Sequence, residues 1–298
     1  MKRFLPIFIL FFTFFSYGQQ TKIDSLKIVL KTESSKEGKI VILESLNKLL
    51  INYGDLTSES ISYFEQMALL SKELGKVGLE TRAYKYLSEC YIRKEDFIKA
   101  ELLAIKSLNI NDSLNNNKDY LLDINQLGRV YYHFQKYKKA IDTYKKGISF
   151  YDKNPQGKII CSIYSNLGTA YGKTGESQKQ IESYLKGAEC AEKIGNFAAK
   201  SFALYNIGYI YMDLDQYEKA EKYFLNALKD SSKIELKAYV NMNHHSLGIN
   251  YSRWGKYDKA LKHNNIALKY YNVTGNKLYE FDALNYYQLQ AGRFDFRL

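Results

Sequence analysis

Apolar residues recur along most of this chain at intervals of three and four, the spacing that places side chains on one face of an α-helix. Two consecutive faces of this kind surround Gly208, the first formed by Leu204, Ile207, Tyr211 and Leu214 and the second by Tyr217, Ala220, Phe224, Ala227 and Leu228. Turn-forming stretches separate such segments, at 111–117, 153–157, 195–196 and 275–276. The pattern predicts an all-α chain of short helices joined in pairs.

The pattern repeats every 40 residues. Four segments align without a gap, and they begin at Gln126, Asn166, Asn206 and Ser246, with glycines at Gly128, Gly168, Gly208 and Gly248. A fifth copy begins at Tyr86 with Ser88 in the glycine position, and a weaker one, shifted by one residue, begins at Ser45. We place the repeats near 41–80, 81–120, 121–160, 161–200, 201–240 and 241–280, with an incomplete copy at 281–298. Each helix pair leaves an apolar side exposed, so we expect the pairs to stack as a solenoid.

These copies resemble the tetratricopeptide repeat family. The family pattern is a Leu-Gly pair, a tyrosine three residues on, and then a small, an aromatic and a small residue in the second helix. It is matched by Leu127-Gly128, Tyr131, Ala140, Tyr144 and Gly147, by Ile207-Gly208, Tyr211, Ala220, Phe224 and Ala227, and by Leu247-Gly248, Tyr251, Ala260 and Ala267. Two positions depart from it, because Gln180 replaces the alanine and Asn264 the aromatic residue. The resemblance covers about residues 37–291 and implies a right-handed superhelical solenoid of antiparallel helix pairs over 37–298. The long repeat is similar to those of kinesin light chains and of bacterial regulators with helical sensor arrays.

The N-terminus has the pattern of an export signal. Lys2 and Arg3 precede an almost wholly apolar run at 4–17, and Ser16 and Gly18 supply the small residues that a signal peptidase reads. This run is short for the ~30 Å of a bilayer core. We therefore predict a signal peptide at 1–18, a lead-in helix at 19–36, and a periplasmic or extracellular protein. An uncleaved signal, which would anchor the chain to the membrane, is the alternative; after cleavage no further stretch predicts a stable membrane span.

Composition adds a positive charge and many tyrosines. The formal net charge is +11, and 28 of the 298 residues are tyrosine. The lysines are scattered through the repeats, as on a solvated helical face, so we expect no nucleic-acid partner. The three cysteines are Cys90, Cys161 and Cys190. We expect three buried, apolar cysteines; because Cys161 and Cys190 fall at opposite ends of two paired helices, a disulfide between them is the alternative.

The candidate motifs for catalysis or metal binding do not have the required spacing. GTAYGKT at 168–174 has three residues between its glycines where a phosphate-binding loop has four, and no strand precedes it. None of the four histidines has metal-ligand spacing with a second His, Cys or acid on one helix face. We therefore expect no enzyme activity, no cofactor and no metal site.

The family resemblance implies that the first helix of each pair lines a concave groove that binds a protein or peptide. By position the groove would present Asn125, Arg129, Tyr132, His133, Ser165, Thr169, Lys173, Phe202, Tyr205, Tyr209, Met212, Met242, His245, Ile249 and Arg253. The part from Phe202 to Ile249 is apolar and aromatic, which suits a partner's side chains. Asn166 and Asn206 resemble family asparagines that hold a peptide backbone; the alternative is that they support turns and helix contacts.

The last copy is unfinished. Residues 277–290 have the pattern of a first helix, but the chain ends at Leu298, before a second helix could form. We interpret this as a truncated array, with a natural end docked on the last pair as the alternative. The sequence thus predicts an exported, non-catalytic scaffold that binds a protein or peptide. The alternative function is the sensory module of a membrane-bound regulator whose histidine kinase or DNA-binding output is missing.

Overall fold

A computed structural model describes residues 21–274, apart from 54–57, 154, 156–157 and 235–236, and every regular element in this part of the chain is helical. The helices are α1 (21–32), α2 (Lys36–Tyr53), α3 (Ser58–Glu73), α4 (Val77–Arg93), α5 (Phe97–Ser113), α6 (Asn117–His133), α7 (Tyr137–Lys153), α8 (Ile160–Lys173), α9 (Ser177–Lys193), α10 (Phe197–Asp213), α11 (Tyr217–Leu228), α12 (Lys237–Arg253) and α13 (Tyr257–Thr274). A short 3₁₀-helix, Ser231–Lys233, follows α11. The predicted all-α fold class is confirmed.

A left-handed residue closes most of the helix-to-helix turns. Positive φ values occur at Gly75, Glu95, Asn115, Gln135, Gly175, Gly195, Asp215 and Gly255, at a spacing of 20 residues or its multiples. The residue that follows each of them donates its backbone N–H to a carbonyl five residues earlier, as Asp96 does to Tyr91. This bond satisfies a carbonyl that the end of the helix would leave unpaired. The same backbone turn therefore sets both ends of α4, α5, α6, α9 and α10.

Pro155 interrupts this series. It stands 20 residues after Gln135 and 20 before Gly175, where the turn pattern would need a left-handed residue. A proline ring fixes φ near −65°, so that turn cannot form here. The next helix, α8, begins only at Ile160 and has 14 residues, against 17 in α4, α6 and α10, and no side chain caps its start.

Helices α8 and α9 show how the pairs are aligned. A Cβ atom built on Gly168 would lie 3.0 Å from the ring of Tyr184, and one built on Gly187 would lie 2.8 Å from Oγ of Ser165. Later residues of α8 thus face earlier residues of α9, which is antiparallel pairing. The glycines let the two helices approach closely, as the repeat pattern predicts.

A disulfide joins the two ends of this pair. Cys161 at the start of α8 is bonded to Cys190 near the end of α9, with their Cα atoms 5.3 Å apart. The expectation of three unpaired cysteines was therefore wrong, and only Cys90 is a buried free thiol. The antiparallel pairing explains the bond, since it brings residues 29 apart in sequence to facing positions.

The chain divides into two compact units, one up to Ala140 and one from Ile141. The first has an apolar core that includes Leu43, Leu46, Phe64, Met67 and Leu87. The second contains two clusters that meet along α10 and α11, with members such as Ala203, Ile207, Phe224 and Leu247. No helix of the described ranges is long and apolar enough to cross a membrane. The predicted signal peptide and the unfinished last copy lie outside the described residues.

One buried polar cluster ties three helices of the first unit together. Asp123 of α6 is completely buried and accepts hydrogen bonds of 2.6 Å from Oγ of Ser107 and Nδ2 of Asn111, both on α5. Its carboxylate also lies 3.4 Å from Nζ of Lys85 on α4. Burial raises the pKa of Asp123, although Lys85 and the two hydrogen bonds oppose that shift.

Candidate binding groove

Three aromatic side chains run along one side of α10. The ring centroids of Phe202 and Tyr205 are 6.4 Å apart, and those of Tyr205 and Tyr209 are 5.8 Å apart. Phe202 is 39% exposed and Tyr209 37%, which is high for such large aromatic groups. Phe202 also meets the ring of Tyr239 on α12 edge-on at 6.0 Å. We call Phe202, Tyr205 and Tyr209 the aromatic stripe.

Two residues of the stripe, Tyr205 and Tyr209, line a pocket of about 490 Å³ between α10 and the α8–α9 pair. Its walls come from both sides, with Thr169, Gly172, Lys173, Ser177, Gln180 and Tyr184 on one and Tyr205, Asn206, Tyr209, Ile210, Asp213 and Leu214 on the other. Five of these, Thr169, Lys173, Tyr205, Asn206 and Tyr209, were predicted to line the groove. The volume lies in the ~300–1,000 Å³ range of ligand clefts.

Polar groups sit among the aromatic walls of this pocket. Oγ1 of Thr169 and the hydroxyl of Tyr184 are hydrogen-bonded at 2.9 Å. Nδ2 of Asn206 donates to the carbonyl of Phe202 one turn earlier in α10. That bond matches the interpretation of Asn206 as a helix-supporting residue, while its side chain still lines the pocket. Asn166 lies on α8 outside the pocket lining and is partly buried.

Two predicted groove residues belong to the core instead. Met212 is fully buried and Ile249 nearly so, and both pack in a cluster with Phe224 and Leu247. Their placement in the groove was wrong, because α12 stacks on α10 and α11 and covers that side of the helices. Met242, by contrast, is partly exposed on α12.

The predicted groove residues of α6 lie in the first unit and form a cluster of their own. Arg129 makes an ion pair of 2.9 Å with Glu89 and lowers its pKa, although burial of the carboxyl opposes that shift. The ring of Tyr132 meets that of His133 edge-on at 5.5 Å. Partial burial, reinforced by Arg129, lowers the pKa of His133. Asn125 is partly buried on the same helix.

The remaining predicted residues of α12 are Arg253 and His245. Arg253 is exposed and lies 3.5 Å from the carboxylate of Asp213, which ties α12 to the rim of the pocket on α10. His245 is partly buried. No group of three or more His, Cys, Asp or Glu residues that could hold a metal ion occurs within the described ranges.

The prediction did not include Gln180 and Gly172 among the site residues. In the sequence, Gln180 stands out only as a departure from the repeat pattern, and such a departure is the signal that could have found it. A Cβ atom on Gly172 would lie 2.5 Å from Nε2 of Gln180, so the Gln180 amide lies directly over this glycine.

The comparisons with known proteins identify the repeats. Residues 124–154 and 162–193 match one sequence profile described as "Tetratricopeptide repeat", and residues 200–272 match a second profile with the same description. The chain matches no curated protein sequence.

Several solved structures share the fold. BtubC from P. vanneervenii superposes with a TM-score of 0.63 at 17% identity, over 82% of this chain and 93% of that one. A STAND signal-transduction protein with a tetratricopeptide repeat sensor, from Pyrococcus horikoshii, gives 0.66 at 18% identity and covers 91% of this chain, which spans 43% of that protein. A Rap protein complexed with Competence and Sporulation Factor gives 0.61 at 12% identity, over 92% and 81% of the two chains.

Proposed function

Since the chain is built from tetratricopeptide repeats, we propose that it is an exported scaffold that binds a protein or peptide in the groove along α8 and α10 and acts without catalysis. The Rap structure, which shares the fold, contains Competence and Sporulation Factor, so this architecture can serve as a binding surface. The proposal for this chain rests on its own residues.

The aromatic stripe is the observation that carries the proposal. Large aromatic side chains supply much of the binding free energy in protein interfaces, and they do so best around a pocket that water can leave. Here Phe202 and Tyr209 are exposed beside the pocket of about 490 Å³. The packing of α10 does not require this exposure, because its opposite side already buries Ala203, Leu204 and Ile207.

Export is supported by the cysteines as well as by residues 1–18. Structural disulfides persist mainly in oxidising compartments outside the cytoplasm. The bond between Cys161 and Cys190 fits such a compartment. Cell fractionation with thiol labelling of the denatured protein tests this. The full-length protein should be found outside the cytoplasm with a single free thiol, that of Cys90, and with Cys161 and Cys190 protected by their disulfide. A variant that lacks residues 2–18 should stay inside with its cysteines reduced.

Binding in the groove is tested with a displayed library of random dodecapeptides. The protein is expected to enrich a set of sequences, and Phe202→Ala with Tyr209→Ala should abolish this enrichment while the helical circular dichroism is unchanged. Leu225→Ala with Ile266→Ala is the matched control, because these side chains of α11 and α13 are 44% and 38% exposed. Enrichment that survives the groove variant, or that the control variant removes, would contradict the proposal.

A sensory module is the second candidate. The fold is shared with a protein whose tetratricopeptide part is described as a sensor, and that protein carries further domains. In this case the groove would bind a signal and a separate domain would respond. A reading frame that continues past Leu298 into a membrane span and an output domain would favour this candidate, and a stop codon there would count against it.

A further inference from the structure

When the repeats are aligned, one pair of positions at the groove differs in the α8–α9 repeat from the others. The last turn of each first helix carries, at matching positions, Ile92, Tyr132, Gly172, Met212 and Ser252. The facing position on each second helix carries Ala100, Ala140, Gln180, Ala220 and Ala260. In the next repeat the pair is Met212 and Ala220, and both are fully buried. In the α8–α9 pair, the larger side chain has moved from the first helix to the second.

This exchange changes the chemistry of the site. The Gln180 side chain fills the space over Gly172, where its Nε2 lies 2.5 Å from the position of a Cβ atom. The result is an amide at a site where the next repeat has a thioether. The Gln180 amide lines the pocket and makes no hydrogen bond to any of the described residues. Its donors and acceptor therefore face the pocket unused by the fold.

The opposite wall is aromatic and aliphatic. Tyr205 and Tyr209 present rings whose planes are inclined by 46°, and Ile210 and Leu214 continue this wall. A flat aromatic group inserted here would meet these rings edge-on or offset, the arrangements that aromatic pairs prefer. A pocket with an aromatic wall and an amide on the facing helix suits an aromatic group with a polar edge.

The rim adds a charge. Lys173 follows Gly172, is exposed at the pocket, and makes no ion pair within the part of the chain that the structure describes. Asp213 on the other rim already lies 3.5 Å from Arg253. The unpaired positive charge at the entrance therefore complements an acidic group on the bound molecule.

We propose that this pocket selects a tryptophan or tyrosine side chain that has an acidic neighbour in an extended partner segment. Gly172 and Gln180 determine the selectivity for the aromatic side chain, and Lys173 pairs with the acidic residue. The inference rests on the proposed function, since it names what the groove binds. The indole N–H or phenol O–H would bond to the Gln180 amide. A phenylalanine would leave that amide desolvated and unpaired.

An array of acetylated and amidated nonapeptides tests the inference. Their central residue is Trp, Tyr, Phe, Leu or Ala, and the flanking residue is Asp or Lys in an otherwise Gly-Ala sequence. The protein is expected to prefer Trp and Tyr over Phe by about fivefold, the ratio that one net hydrogen bond gives. It should also prefer Asp over Lys as the flanking residue.

The informative variant is Gly172→Met with Gln180→Ala. It installs the pair that the next repeat already buries as Met212 and Ala220, so folding is expected to be preserved. The preference for Trp and Tyr over Phe should fall to about onefold. Lys173→Glu should invert the preference for the flanking charge, and Leu225→Ala should change neither.

The outcomes separate the two proposals. If the protein binds peptides of the array and the exchange variant keeps the Trp and Tyr preference, the pocket assignment is wrong and groove binding stands. If no peptide of the array binds, the pocket assignment is also wrong, whatever the random library yields. If Phe202→Ala with Tyr209→Ala leaves array binding intact, groove binding itself fails.

Discussion

Gly208 shows how one missing side chain sets the distance between two helices. A Cβ atom at this position would lie 2.7 Å from Cε1 of Phe224, whose side chain is fully buried. Alanine is the better helix former, but the ring has no free space into which it can retreat. We expect Gly208→Ala to lower the free energy of unfolding by about 1–3 kcal/mol, measured by urea denaturation.

Gly78 provides the matched control. It also lies in a helix, α4, and a Cβ atom there would meet no heavy atom within 4 Å. Gly78→Ala is therefore expected to raise the free energy of unfolding by about 0.5–1 kcal/mol. Equal stabilisation by both substitutions would show that the contact between Gly208 and Phe224 imposes no constraint.

A histidine pair predicts that the stability of the last described helix pair depends on pH. Nδ1 of His244 on α12 lies 2.9 Å from Nδ1 of His263 on α13. Burial lowers the pKa of both rings from the ordinary value of 6.5. For His263, the adjacent His244 and the positive charges of Lys262 and Lys259 reinforce the effect and bring the pKa to about 4, with only Glu221 opposing it.

The direction of the pH effect follows from proton uptake. Between pH 6.5 and 4 the unfolded chain binds protons that the folded pair does not, so the free energy of unfolding should fall as the pH drops through this window. His263→Gln is expected to make the fall between pH 7 and pH 5 smaller, in urea denaturation at both values. This range lies above the titration of ordinary carboxyl groups, and an unchanged difference would refute the prediction.

At the scale of elements, local pattern predicts the helices well and their joints poorly. The three-four spacing and the constant 40-residue step suffice for α4 to α13, because each helix repeats the same apolar face. The late start and short length of α8 could not be predicted from this pattern. It depends on Pro155 occupying a position where the turn needs a left-handed residue, and this appears only when the other turns are known.

The candidate site was predicted in part for a related reason. The family resemblance, carried over by position in the repeat, put Tyr205 and Tyr209 on the groove, and the structure leaves them at the pocket. The same argument misplaced Met212 and Ile249, because the spacing within one helix does not tell which sides the next pair will cover. Gln180 was missed since a pattern search treats a departure as noise, whereas here it is compensated by Gly172.

The disulfide has a measurable role in the α8–α9 pair. It ties the uncapped start of α8 to the end of α9, across a separation of 29 residues. Closing a loop of this length is expected to stabilise the fold by about 3.6 kcal/mol. Reduction should lower the free energy of unfolding by about this amount, as should Cys161→Ser with Cys190→Ser.

The serine variant also serves as the control, because its stability should not respond to reductant. Cys90 should stay unreactive to an alkylating reagent in the folded protein, since burial raises its pKa to about 12. Equal stability of the oxidised and reduced proteins would show that the bond contributes nothing to this pair.

At the scale of the whole molecule, a stacked repeat array has mainly contacts between neighbouring repeats, so its stability should be local. Asp123 tests this, because its carboxylate joins α4, α5 and α6 through Lys85, Ser107 and Asn111. Asp123→Ala removes a buried acceptor from all three partners and should cost on the order of 3–5 kcal/mol. Amide hydrogen exchange should accelerate in α4–α6 while α12 and α13 keep their protection.

Asp258→Ala is the control for this experiment, since Asp258 is exposed on α13 and should affect neither region. Equal acceleration in α4–α6 and α12–α13 on loss of Asp123 would mean that the chain unfolds as one cooperative body. Loss of exchange protection in α4–α6 alone would mean that the pocket beside α10 can still bind while the first unit opens. The walls of this pocket are formed by α8, α9 and α10. The affinity for a Trp-containing peptide of the array should then be the same for Asp123→Ala as for the unsubstituted protein.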